Sequence, residues 1–194
     1  MSDDLAGRLA GLLSKLSGGV QTEWEAAPAA VLIPLYLDHG DWHLLYTRRT
    51  DSVDVHRGQV AFPGGRIEPS DRSAVDAALR ESGEEIGLRA ADVQVLGQLN
   101  PLITVTQFVV TPVIGVIPWP YALRPNQTEV AKCFGVPLGW LAESANLEVH
   151  SRQPFAPGLV VQVYTFKPYG GEVIWGVTAR ITKSLLDLLA GSPA

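Results

Sequence analysis

The chain has 194 residues, 46% of them hydrophobic and 18% charged, a composition that supports a buried core and excludes a disordered chain. Its 15 basic and 20 acidic residues leave a net charge of −5, which argues against a broad nucleic-acid-binding face. A small anionic ligand stays open, because a few arginines and a cation can reverse the local sign. The single cysteine, Cys133, rules out an internal disulfide and a cysteine-rich zinc site, and reads as a buried bystander.

The opening stretch, MSDDLAGRLAGLLSKL, is acidic at its start and lacks the long apolar core of a secretory signal. No apolar run reaches membrane-spanning length, so no membrane partner is expected and the cytoplasm is the expected compartment. Leu5, Leu9, Leu12, Leu13 and Leu16 predict an amphipathic helix over about 3–17, ended by Gly18 and Gly19. Its apolar face reads either as core or as the interface of a homodimer. AAVLIPLYL and WHLLYTRR around DHGD predict a β-hairpin. GQVAF reads as a short strand and PGG, Pro63 to Gly65, as a loop. A helix follows from about Arg72 to Ile86, with Gly87 at its C-cap. DVQVLGQL and FVVTPVIGVI read as strands, PWPYALRPN as a proline-rich loop and PLGWLAES as a short helix. LVVQVYTF is a strand, turning at Gly170-Gly171 into EVIWG, and a last amphipathic helix covers about 177–190. Strands outnumber helices without regular alternation, which predicts one domain, 1–194, built on a mixed sheet with flanking helices.

The chemistry gathers on the middle helix. Around its axis, at roughly 100° per residue, Glu84 falls about 60° to one side of Glu81 and Glu85 about 40° to the other. All three carboxylates therefore share a face, and they stand near a helix C-terminus, where anions are disfavoured. Val75, Leu79, Ser82 and Ile86 form a separate stripe suited to packing on the sheet. Ala74, Ala77 and Ala78 lie on the glutamate side, leaving space there or letting another element approach closely. A helix standing alone would carry these glutamates as a solvated stripe. A divalent cation reverses the cost, since Mg²⁺ takes carboxylate oxygens, waters and substrate phosphates. Arg80 can reach Glu84 one turn away. A glycine pair after a strand, Gly64 and Gly65, lets backbone approach a ligand, and Glu68 and Asp71 add carboxylates to the loop.

Gly64–Leu88, GGRIEPSDRSAVDAALRESGEEIGL, resembles the Nudix box, G-x(5)-E-x(7)-R-E-U-x-E-E-x-G-U with U a bulky apolar residue. Gly65, Arg80, Glu81, Glu84, Glu85, Gly87 and Leu88 match. Asp71 stands in place of the first glutamate, one extra residue separates it from Arg80, and Ser82 replaces the first U. Upstream, LLYTRRTDSVDVHRGQVAFPGG resembles the added signature of the coenzyme A pyrophosphatase subfamily, which tolerates the same insertion. Arg48 or Arg49, Gly58, Val60 and Phe62 to Gly65 match, while Tyr46 and Asp54 depart.

The resemblance implies an α+β fold, a Nudix-like α/β/α sandwich with a mixed β-sheet. It implies metal-dependent hydrolysis of coenzyme A or its derivatives to 3′,5′-adenosine bisphosphate and 4′-phosphopantetheine. Glu81 and Glu85 would hold Mg²⁺ or Mn²⁺, Glu84 would share a second ion or a bridging water, and Arg80 would orient the glutamates. The general base is either a metal-bound glutamate or Glu129 in NQTEV, whose bland reading is an exposed surface residue. Arg48, Arg49, Arg57 and Arg66, with Gly64 and Gly65, are the candidates nearest the phosphates, although each arginine also reads as surface charge. Trp119 and Tyr121 suit adenine stacking or, more simply, a packed loop. His39, His43, His56 and His150 show no paired metal spacing. The alternatives are hydrolysis of another nucleoside diphosphate-linked substrate, such as ADP-ribose or a dinucleoside polyphosphate, and a non-catalytic binding module on the same fold.

Overall fold

A computed structural model describes residues 4–16, 26–50, 58–152 and 161–191. The predicted hairpin forms β1 (Ala27–Asp38) and β2 (Asp41–Arg49). His39 and Gly40, both at positive φ, make its two-residue turn, the backbone that matches strand twist. β1 and β2 pair directly only over Leu35–Asp38 and Asp41–Leu44, then splay apart. The wedge is filled by β3 (Val60–Ala61) on β2 and β4 (Gly64–Arg66) on β1, and the Leu32 N–H donates to Pro63 O at 2.8 Å between them. Pro63 to Gly65 therefore do not form the predicted loop: the two glycines are strand residues. Gly64 has φ 157°, and a Cβ there would collide with Ala30 O and Val31, so only glycine permits this close pairing.

Helix α2 (Ala74–Ile86) follows, then β5 (Gln94–Gln98), β6 (Leu102–Ile103) and β7 (Phe108–Val116). β7 runs parallel to β1 from Ala27↔Phe108 to Leu35↔Val116, and the other pairings of this eight-stranded sheet are antiparallel. β8 (Val130–Pro137), which the sequence reading did not separate as a strand, lies along β2. α3 (Leu138–Ala142), the unforeseen β9 (Leu147–Arg152), β10 (Val161–Phe166) and α4 (Gly176–Ala190) complete the order, with α1 (Leu5–Leu13) at the start. The EVIWG segment contributes isolated bridges, Tyr169↔Glu172 and Thr165↔Trp175, rather than a strand.

α2 covers one sheet face through Ala77, Ala78 and Ile86 against Ala30, Leu32, Leu45 and Val113. α1, α3 and α4 cover the other, where Leu5, Leu9 and Leu13 meet Ile33, Leu35, Leu44, Tyr46 and Leu185. The fold is α+β, a mixed sheet flanked by helices. α1 spends its apolar face on this core, so a dimer would need another surface.

The buried side of α2 agrees with the sequence reading at Ser82 and Ile86 and departs from it at Val75 and Leu79. Val75 and Leu79 are only half-buried, while Ala77, Ala78, Ser82, Glu85 and Ile86 are buried. Small alanines let the helix sit close over β1 and β4, which rolls Glu81 and Glu85 toward the sheet and leaves Glu84 toward solvent. Ser82, the polar replacement in the motif, is accommodated because its hydroxyl donates to Ala78 O at 2.7 Å. Ser73 caps the N-terminus by accepting from Asp76 N–H, and Gly87 closes the C-terminus at φ 69°.

Candidate active site

α2 delivers Glu81 and Glu85 to β4, in the wedge between β1 and β2. Glu85 is 4% exposed, and its Oε2 accepts from Gly64 N–H at 3.3 Å. Burial is the main force raising its pKa to about 7, opposed by Arg49, whose Nη1 lies 3.9 Å from Oε1, and by the Gly64 N–H. Glu81 and Glu129 push the same way as burial. The Glu81 pKa is also raised, chiefly by burial, against the Arg80 hydrogen bond, with Glu84 and Glu129 adding to the rise. Glu84 stands outward, its side chain 60% exposed.

Arg80 organises the group. Its Nε and Nη2 form a fork on Asp71, both at 3.0 Å. Nη1 donates to Glu81 at 2.9 Å and Glu84 at 3.3 Å, and Nη2 also donates to Arg66 O at 3.1 Å. Asp71, the motif departure, is thus joined to Arg80 across the loop despite the inserted residue. The Glu68 N–H donates to it as well, and Arg80 chiefly holds its carboxyl below the ordinary range.

Gly65 forms a floor beneath Glu81. A Cβ at this position would lie 2.5 Å from Glu81 Cδ. Gly65→Ala is therefore expected to push the Glu81 carboxylate aside while leaving the sheet intact. The expected result is a kcat lowered at least about tenfold, with a melting temperature within a few degrees of wild type; unchanged kcat would show that Glu81 placement is not critical.

Period-two alternation separates the two candidate arginines of β2. Arg49 faces Glu85. Arg48 faces the α4 side, where its Nη1 lies 3.5 Å from Glu172, a buried carboxylate also bound by Lys132 at 2.7 Å. The structure does not bring Arg48 to the glutamates. Arg57, with His56, lies outside the described residues. Arg66 is exposed, with its guanidinium over the Phe108 ring. Trp119 stacks on Tyr36, and the Tyr121 hydroxyl donates to Asp92, so both act in packing the loop.

Glu129 is brought in from the far loop. It is near enough to raise both the Glu81 and the Glu85 pKa. The loop is bolted to the end of α2 by Arg124 N–H to Ile86 O and Asn126 N–H to Glu85 O, each 2.8 Å. Asn126 escaped the sequence reading, although N-x-T is a side-chain turn pattern that could have flagged it.

Among the described residues, no three carboxylate, imidazole or thiol groups converge on one point. Glu81 and Glu84 share Arg80, while Glu85 sits on the Gly64 side. The donor set still fits a hard divalent cation, which is often held by only one or two carboxylates with waters and phosphate oxygens. Glu85 is a buried carboxylate with only a distant cationic neighbour, the condition such an ion relieves.

The raised Glu85 pKa fixes a sign for stability. Between the ordinary 4.5 and about 7 the folded state binds more protons than the unfolded state, so stability falls as pH rises through that window. Metal-free wild type should lose up to about 3 kcal/mol relative to Glu85→Gln between pH 4.5 and 8. Parallel denaturation curves at each pH would check this; a constant difference would contradict it.

The NUDIX domain family model matches residues 26–155. A Yersinia enterocolitica protein named "Uncharacterized Nudix hydrolase NudL" is 41% identical over 157 residues, 81% of this chain and 78% of its own. The crystal structure of a MutT/nudix family protein from Enterococcus faecalis is similar at TM-score 0.58, covering 98% of this chain and 76% of its own at 13% identity. RenU, a Nudix hydrolase from M. smegmatis, gives TM-score 0.57 over 88% and 90% at 19% identity. The last two likenesses speak to the fold alone. With the glutamate helix, its arginine fork and the matched span, the chain belongs to the Nudix family, hydrolases of nucleoside diphosphate-linked small molecules that generally use divalent metal ions.

Proposed function

We propose that this chain, as one catalytic domain over 1–194, hydrolyses the diphosphate of coenzyme A and its derivatives in the cytoplasm. The products are 3′,5′-adenosine bisphosphate and 4′-phosphopantetheine. The observation that carries this reading is where the Leu44–Gly65 signature sits. Its arginine, Arg49, lies beside Glu85; its Gly64 N–H is bonded to Glu85; and its Gly65 lies under Glu81. Val60 and Phe62 are buried, and Phe62 stacks on Tyr46 at 4.7 Å, which anchors the strand pair to the α4 side. The segment resembling the subfamily signature is thus the segment that builds the glutamate site.

Glu81 and Glu85 would hold Mg²⁺ or Mn²⁺, with Glu84 sharing a second ion or a bridging water. A bound divalent cation neutralises diphosphate charge and lowers the pKa of a water. Arg80 keeps Glu81 and Glu84 in place through its fork on Asp71. Arg49 and Arg57 meet phosphate oxygens, while Arg48 stays with Glu172. Glu129 takes the proton from the attacking water as its oxygen bonds to one phosphorus. The bridging P–O bond breaks, and the other phosphate leaves with that electron pair. Glu81, Glu84, Glu85 and Arg80 are all present, with Glu81 and Glu84 joined through Arg80, which weighs against a binding module without catalysis.

The test is kcat/KM with Mg²⁺ or Mn²⁺ for coenzyme A, ADP-ribose and diadenosine polyphosphates measured side by side. Coenzyme A should exceed the others by at least about tenfold. Efficient cleavage of ADP-ribose or a dinucleoside polyphosphate with coenzyme A left intact would keep the chemistry and overturn the substrate.

A further inference from the structure

We infer that Asn126 is a positioning residue for catalysis, setting the Glu129 carboxylate against the glutamates of α2; this rests on Glu129 acting as general base. Three sets of contacts support it. The Asn126 side-chain amide donates from Nδ2 to Glu129 Oε1 at 3.3 Å. Its Oδ1 accepts from the Thr128 N–H at 3.2 Å and the Thr128 hydroxyl at 2.8 Å. Its backbone N–H donates to Glu85 O at 2.8 Å, while its carbonyl accepts from Glu129 N–H at 2.9 Å and Val130 N–H at 2.8 Å. One residue therefore ties the last turn of α2, the start of β8 and the carboxylate between them.

The chemistry of the side chain is specific. Toward Glu129 it must present a donor, because an ionised carboxylate only accepts. Toward Thr128 it must present an acceptor, because the backbone N–H only donates. A primary amide satisfies both demands at once, and the network fixes its orientation. Aspartate would preserve the Thr128 turn and lose the donor. It would also place a second anion against Glu129. Alanine would lose both contacts.

The distinction supplies the test. In Asn126→Asp and Asn126→Ala, kcat for diphosphate hydrolysis should fall about ten- to a hundredfold, with KM changed less than about threefold. Thermal melts accompany the kinetics, so a variant that does not fold is recognised; Asn126→Asp, which retains the turn, then carries the test. The decisive arm repeats Asn126→Asp in a Glu129→Gln background. If Asn126 acts through Glu129, it should cause little further loss there. Wild-type kcat in Asn126→Asp would reduce the residue to a turn former and overturn the inference. An equal loss in both backgrounds would also overturn it, since the effect would then bypass Glu129. Wild-type kcat in Glu129→Gln alone would sink the base assignment itself, and the inference with it.

Discussion

Glu85→Gln is expected to lower kcat for diphosphate hydrolysis by about a thousandfold or more, equivalent to about 4 kcal/mol of transition-state stabilisation, with the fold preserved. The substitution keeps the shape and removes the charge. Glu85 is the most deeply buried carboxylate of the set, gripped by Gly64 N–H and facing Glu81 and Glu129. A neutral amide there cannot neutralise a cation, so the loss should fall on the metal-dependent rate. The fold should tolerate it, because the site already works against an ionised carboxylate through burial. As pH rises through neutrality the metal-free variant should gain stability relative to metal-free wild type. Steady-state kinetics at saturating metal would check the rate; wild-type-like turnover would sink the metal assignment.

The second large effect is expected at Arg80. Its guanidinium donates to Asp71, Glu81, Glu84 and the Arg66 carbonyl, so it is the piece that keeps the outer carboxylates apart and aimed. Arg80→Ala should lower kcat about a hundredfold with KM almost unchanged, since the residue acts through the glutamates. Arg80→Lys should recover only part of the loss, because an ammonium keeps the charge but cannot reproduce the fork on Asp71. A rise in KM with kcat intact would instead make Arg80 a substrate-binding residue.

Much of this site was legible before the structure. The spacing of Glu81, Glu84 and Glu85 on one helix face, the Gly87 cap and the DHGD turn are all local features, written in the periodicity and turn chemistry of short windows. What was not legible depends on distant parts of the chain. β4 is three residues long and two of them are glycine, so nothing in its propensity says strand; the splay of β1 from β2 makes the pairing. The orientation of α2 was read only in part: Ser82 and Ile86 of the expected stripe are buried, but Val75 and Leu79, which outweigh alanine on any hydrophobic scale, stay at its edge. Close packing over a strand favours the smaller side chain. Alternation places Arg48 and Arg49 on opposite faces of β2, but only the packing of α2 decides which of them meets the glutamates. Asp71 looked like a departure from the motif, yet its fork with Arg80 is a contact across a loop that spacing rules do not describe.

The most direct measurement is the mass of the products formed from coenzyme A by wild type and Glu85→Gln, each with and without Mg²⁺. Metal-dependent appearance of 4′-phosphopantetheine and 3′,5′-adenosine bisphosphate with wild type alone is the predicted result. Intact coenzyme A in every sample, or equal product from the Glu85→Gln variant, would contradict the account.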